Sequence, residues 1–396
     1  MAIDIKFPMI IGGSSGSSFI FGKLSSNISS TTTTPAPSIG GQLWVWGANY
    51  FGTIGDNTNV KKSSPVQTIA GGSDWTQISG KENHNVGMKT DGTVWAWGNN
   101  DNGQLGDDTT VNKSSPVQTI VGGTNWSSVA CGGNHTAAIK TDGTLWLWGQ
   151  NNTGQLGDDT GVNKSSPVQT IVGGTNWSSV SCGRNHTAAI KKDGTLWLWG
   201  LNYDGRLGDD TTAGKSSPVQ TIVGGTNWSS VSCGRSHTAA IKKDGTLWLW
   251  GGGYSGVLGD DTTDSKSSPV QTIVGGTTWS KVDGGYSVTA AIKTDGTLWL
   301  WGQNYDGNLG DDTTVSKSSP VQTIAGGSWT SVYCGGSTYD KFSAGIKADG
   351  TLWTWGHNSY FARVGDNTTI DRSSPVQTIV GGTNWISVSY TAAIKA

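Results

Sequence analysis

Charge is scarce in this chain. Asp, Glu, Lys and Arg together make up 14% of its residues and the formal net charge is -2, against roughly a quarter charged residues in ordinary soluble proteins. There is no basic stripe of the kind that phosphate neutralisation needs, so nucleic-acid binding is disfavoured. Long apolar runs are missing as well. No stretch approaches the ~20 apolar residues that cross a bilayer, so membrane insertion is not expected. Residues 1–13 make a poor export signal, because Asp4 stands where positive charge belongs and the apolar run is broken. Cysteine is limited to Cys131, Cys182, Cys233 and Cys334, spread one to a repeat at a slot that reads Gly80, Asp283 and Ser389 in other copies. Metal centres need clustered ligands and disulfide scaffolds need dense cysteine, so these four read as small buried hydrophobes. There is no phosphate-binding loop, no nucleophile elbow and no long segment of helical period.

What is present is tryptophan, and it is periodic. Seven Trp-x-Trp-Gly segments start at Trp44, Trp95, Trp146, Trp197, Trp248, Trp299 and Trp353, spaced by 51 residues five times and then by 54. The 21 Trp divide as three per repeat, the third being typified by Trp126, Trp177 and Trp228. A Trp at fixed register brings a large apolar surface and an N–H in need of a partner, which reads as core. Within one period, Asp142-Gly143 joins 136–140 to 144–148 as a hairpin. Residues 115–120 form a short β-branched strand whose Pro116 suits an edge, and 126–129 alternate as a fourth strand. Four short antiparallel strands, seven times, predict an all-β, seven-bladed propeller over 41–396. The repeats open at Leu43-Trp-Val-Trp-Gly47 without a preceding hairpin partner and close at Thr391-Ala-Ala-Ile-Lys395 without a following one. Pairing of these two orphans would close the ring and remove both exposed edges.

The segments Val129-Ala-Cys-Gly-Gly-Asn-His-Thr-Ala-Ala-Ile139, Val180 to Ile190 and Val231 to Ile241 resemble the signature of the regulator-of-chromosome-condensation repeat. The segment from Asp91 to Gly106 is similar to the bacterial form of that repeat, and a bacterial or phage type is expected. The resemblance covers about residues 41–396 and implies the seven-bladed fold. It implies no single activity, since the family includes a nucleotide exchange factor, ligase-associated domains and a protein inhibitor of β-lactamases. The exchange factor depends on a wedge-like insertion and acidic loops, whereas five intervals here have equal length, so that activity is not expected.

Residues identical in most blades belong to the scaffold, because an active site is singular. His84, His135, His186 and His237 share one slot and read as hydrogen-bonding to the blade backbone. The pairs Asp107-Asp108, Asp158-Asp159, Asp209-Asp210, Asp260-Asp261 and Asp311-Asp312 invite a calcium reading. Turn bonding to the following Thr-Thr fits them better, and Asp-Asn replaces the pair at Asp56-Asn57 and Asp366-Asn367. No catalytic residue, metal or cofactor is expected. Variation among copies is more informative. Tyr50, Tyr203, Tyr254 and Tyr305 occupy one loop slot, with Tyr360 offset by one and Phe51 and Phe361 alongside. Around a closed ring these form a continuous arc interrupted by Asp101 and Asn152. Rigid Tyr on loops is a preferred contact for proteins and glycans, the alternative being that the rings cover the blade edge. Residues 1–40 form a separate arm and Ser/Thr/Pro linker whose Ile3, Ile5, Phe7, Met9, Ile10, Ile11, Phe19, Ile20 and Phe21 cannot bury themselves unaided. Arm, tether and head together predict a non-enzymatic virion appendage, docked on other virion subunits by its arm and binding a host-surface glycan or protein by its loops. The alternative is a secreted or cytoplasmic propeller that binds or inhibits a protein target.

Overall fold

The computed structural model describes residues 40–336 and 341–396, and the arm residues from Ile3 to Phe21 lie outside them. The described strands make seven four-stranded antiparallel sheets, so the propeller expectation holds. We number the blades by their Trp-x-Trp-Gly strand, blade 1 carrying Trp44 and blade 7 carrying Trp353. Blade 4 is representative. Its strands Trp177–Cys182, His186–Lys191, Leu196–Gly200 and Lys215–Gln220 lie in chain order from the channel outward. The Pro-bearing strand is the outer edge, where a missing N–H costs nothing.

The hairpin between the second and third strands is built by its own side chains. Gly143 takes φ +84°, and the Asp142 carboxylate accepts from the Thr144 backbone N–H at 2.9 Å and its hydroxyl at 2.7 Å. Thr144 Oγ1 then accepts from the Trp146 indole at 2.9 Å, tying turn to strand. The Gly that ends Trp-x-Trp-Gly is also dictated: Gly149 has φ +99°, and a Cβ there would sit 2.6 Å from the Asn134 carbonyl oxygen.

Ring closure follows the predicted clasp. Strand Gln42–Gly47 pairs with Ala392–Lys395 in the register Leu43↔Ile394 and Trp44↔Ala393, inside the sheet formed with Lys62–Gln67 and Trp385–Ser389. The irregular copies converge there. Phe342 beside the inserted segment and Tyr390 in the shortened hairpin are buried, with ring centroids 5.8 Å apart, and Tyr333 packs on both.

Apolar burial lies between blades. The second Trp of each Trp-x-Trp-Gly is fully buried, and one cluster joins Ile139, Leu145 and Leu147 of blade 3 to Trp177 and Trp199 of blade 4. That second indole donates to a backbone carbonyl of the preceding blade at 2.6–3.0 Å in all seven cases. A lysine ending the second strand lies over two Trp rings, as Lys191 does at 4.9 Å from Trp177 and 4.6 Å from Trp197. No blade can bury its faces alone, so the ring is the folding unit.

Candidate functional site

The residues repeated in most blades are consumed by joining blades. The hydroxyls of Thr136, Thr187, Thr238 and Thr289 each donate to a backbone carbonyl at 2.8–2.9 Å. Their oxygens are therefore acceptors for the Nε2–H of His84, His135, His186 and His237, at 2.9–3.0 Å. This fixes the imidazoles as neutral Nε2–H tautomers. Burial lowers their pKa, to about 3 for His84, His135 and His237 and well below the ordinary value for His186. The expectation of a backbone partner is corrected: the partner is a threonine of the next blade, itself anchored to backbone.

The Asp pairs likewise act within the scaffold. Burial alone would raise the Asp107 carboxyl, but hydrogen bonds from Thr109 and Asn100 hold it below its ordinary range. Lys113 lies 3.4 Å from its second oxygen. Asp108 occupies the left-handed region at φ +61° and accepts from Ser166 of the next blade at 2.9 Å. Asn57 and Asn367 hold the same conformation, which explains why Asn replaces Asp there. The four cysteines are free and buried; burial pushes the Cys233 thiol up to about 12. Their slot needs two corrections. Cys233 pairs with Thr238 as Gly284 pairs with Thr289, so Gly284 takes the cysteine position while Asp283 aligns with Ser232. At the ring's other irregular point Ser389 aligns with Ala130, since each follows the valine that faces an equivalent alanine.

Asp283 and Ser232 belong to a belt around the channel. Ser79, Ser181 and Ser232 each accept from a backbone N–H of the following blade, and Asp283 accepts from the Cys334 N–H at 2.7 Å. Lys81 crosses the channel to the carbonyls of Cys182 and Cys233, at 3.0 and 2.6 Å. The cavity of about 270 Å³ along this belt is thus crossed by an internal cation.

The inner hairpin turns and the loops after Trp-x-Trp-Gly lie at the same end of every sheet. On this face Tyr50, Tyr203, Tyr254, Tyr305 and Tyr360 are 62–76% exposed. Blade 1 and blade 7 bring Tyr50, Tyr360 and Phe361 into one edge-on cluster, the last two with centroids 5.0 Å apart. Phe51 and Phe361 are partly buried supports. Tyr254 donates to Asp204 at 3.1 Å, on the rim of a cleft of about 390 Å³ also lined by Arg184, Arg206 and Arg235. Arg206 pairs with Asp204, and Arg235 stacks 4.1 Å over Tyr286.

These arginines were missed in the sequence, although a comparison of copies exposes them: the slot of Arg184 and Arg235 holds Glu82 and Gly133 elsewhere. On the same face, one donor atom each from Asp306, His357 and Asp371 lie within 4.8 Å of one another, a grouping able to hold a metal ion. The sequence signal was available, since His357 is the one histidine outside the repeated slot. The opposite face carries seven exposed isoleucines after the outer strands, from Ile69 to Ile379.

Comparison with known proteins places this geometry among relatives. The model of the RCC1-like domain matches residues 28–274, and that of the regulator of chromosome condensation (RCC1) repeat matches 295–338. The chain is 31% identical over 307 residues to the ultraviolet-B receptor UVR8 of Arabidopsis thaliana, covering 76% of this chain and 69% of that protein. It is 29% identical over 299 residues to the mitochondrial RCC1 domain-containing protein RUG3 of the same plant, covering 69% of this chain and 64% of that one. Among solved structures, yeast RCC1 (Prp20) bound to Kap60 superposes with a TM-score of 0.78 at 17% identity, over 94% of this chain and 97% of that chain.

Proposed function

The chain belongs to the RCC1-like propeller family, and we propose that it is a non-enzymatic member that binds a protein partner through the Tyr face. The observation that carries this reading is the exposure of five Tyr rings on consecutive blades 4, 5, 6, 7 and 1, on a scaffold whose repeated His, Asp and Cys are engaged within and between blades or buried in the core. Large, rigid, amphipathic side chains in one patch are what protein-binding surfaces concentrate. In the cleft beside Tyr254, Arg206 is paired with Asp204 and Arg184 with Glu82, which leaves Arg235, stacked on Tyr286, to meet a partner's carboxylate. This favours the soluble, target-binding alternative. The bacterial or phage type and the virion appendage have no support among the relatives named, which are plant and yeast proteins, and the arm on which the appendage reading rests lies outside the described residues.

The test is photo-crosslinking in source-cell extract with p-benzoylphenylalanine placed at 203, 254 or 305, and at 101 or 152 as controls. Specific protein adducts are expected from the first three positions alone. Truncating Tyr203, Tyr254 and Tyr305 together to Ala should abolish the adduct formed through a probe at 360, with the melting temperature nearly unchanged. Equal crosslinking at 101 and 152, or unfolding of the triple variant, would refute the reading.

A further inference from the structure

We propose a divalent transition-metal site formed by Asp306, His357 and Asp371 at the junction of blades 6 and 7. Asp306 comes from the loop between strands Leu298–Gly302 and Lys317–Gln322, and the other two from the loop between Leu352–Gly356 and Arg372–Gln377. One donor atom of each lies within 4.8 Å of the others, so a single ion reaches all three with small side-chain rotations.

Comparison with the other blades shows that the scaffold does not require these residues. The position of Asp371 is held by Asn112 and Asn163 in blades 2 and 3, where the amide oxygen accepts from the N–H of Asn100 and Asn151. Asp371 makes the same bond to Asn358 at 2.6 Å and a second to Ser359 at 2.8 Å, both through Oδ1. A neutral side chain performs that structural task elsewhere, so the carboxylate charge is surplus to it, and both of these bonds leave Oδ2 unused. The slot of His357 holds Ala48, Asn99, Gln150, Leu201, Gly252 and Gln303, and that of Asp306 holds Asn102, Thr153 and Ser255 but also Asp204. Two departures from the repeat, His357 and Asp371, therefore meet Asp306 at one point. His357 supplies an independent sign: Ser359 holds its Nε2 at 3.2 Å, while its Nδ1 is buried with no hydrogen-bond partner among the described residues. An imidazole oriented through one nitrogen with the other lone pair unused is poised as a ligand.

One imidazole nitrogen and two carboxylate oxygens suit zinc and its first-row neighbours. Calcium and magnesium prefer all-oxygen shells, with six or more ligands. Three protein ligands leave a fourth position for water or a partner's side chain. The site lies beside the arc, with the His357 and Phe361 ring centroids 6.0 Å apart, so a bound ion would fasten two of the loops that present Tyr305 and Tyr360.

The test uses the full chain stripped with chelator and titrated with Zn²⁺ by calorimetry. Competing soft ligands are absent from the folded surface: the four cysteines and the other four histidines are buried, and residues 1–39 contain neither type. We expect one Zn²⁺ per chain. His357→Gln, Asp371→Asn and Asp306→Asn each introduce a residue another blade already carries at that slot, so the fold should persist, with an unchanged melting temperature in chelator. Each should weaken Zn²⁺ binding at least tenfold. No Zn²⁺ uptake by the native chain, equal affinity in all three variants, or displacement of Zn²⁺ by equimolar Ca²⁺ would overturn the assignment.

Discussion

Acid should unfold this ring through four histidines, well before its carboxylates titrate. In the native state His84, His135 and His237 have pKa values near 3 and His186 lies well below its ordinary value, all through burial. Unfolded, each returns to about 6.5. The unfolded chain therefore binds more protons between about pH 6.5 and 3, so stability is fully present above 6.5 and is lost as the pH falls. At pH 5 each histidine favours the unfolded state by about 2 kcal/mol relative to pH 7.5, and four together by about 8 kcal/mol. That is comparable with the whole stability of a typical domain, about 5–15 kcal/mol. Urea unfolding followed by Trp fluorescence should show the midpoint falling steeply from pH 7.5 to 5. His237→Val copies the residue at the same slot of the next blade, Val288, and leaves Thr289 bonded to the Val257 carbonyl. The variant should start less stable at pH 7.5 but lose about 2 kcal/mol less on acidification. A wild-type stability that is flat over this range, or an equal slope in the variant, would refute the reasoning. So would native-state NMR showing the buried rings titrating near 6.5.

Other consequences are as direct. Trp199→Phe removes an inter-blade bond of 2.9 Å to the Gln155 carbonyl, which still accepts from Thr187, so urea unfolding should register a loss of about 2 kcal/mol from the bond and the lost ring volume. Asp159→Asn should be nearly neutral in the same assay, because Asn57 already adopts that left-handed backbone, whereas Asp159→Ala should cost about 1–2 kcal/mol. A disulfide reagent such as DTNB at pH 8 should modify none of the four thiols in the native protein and all four in urea, since burial raises every one. Any fast-reacting thiol in the native state would contradict the packing described.

Much of the fold was legible because one period of sequence carries one blade of structure. The Asp-Gly turn, the Pro-marked edge and the Trp-x-Trp-Gly strand each carry a local physical signal, and the two orphan strands at 43–47 and 391–395 disclosed the clasp. What was not legible was contact between blades. The tautomer of His84 depends on Thr136, 52 residues away, and the acceptor at Asp108 serves Ser166, 58 residues away. Only the ring geometry brings those partners together. The misplacement of Asp283 has a different origin: the 51-residue period already carries Cys233 to Gly284, and the strand register, with Gly284 opposite Thr289, agrees with it.

The same symmetry tells where function can reside. A residue that recurs in most blades and is bonded to a neighbouring blade cannot be spared for a ligand without opening the ring, which applies to the buried histidines, the left-handed Asp residues and the second indole of each Trp-x-Trp-Gly. Departures from the repeat are free of that duty unless they repair closure, as Phe342, Tyr333 and Tyr390 do. Once those are set aside, the described departures with polar or aromatic chemistry fall mainly on one face: the exposed Tyr arc, the arginines beside Tyr254, and the Asp306–His357–Asp371 group. The opposite face instead repeats Ile69 and its six counterparts, a pattern with no singular point. A partner that needs a particular orientation can be read only by a surface that breaks sevenfold symmetry, and the Tyr face breaks it with the arc, the arginines and the Asp306–His357–Asp371 group.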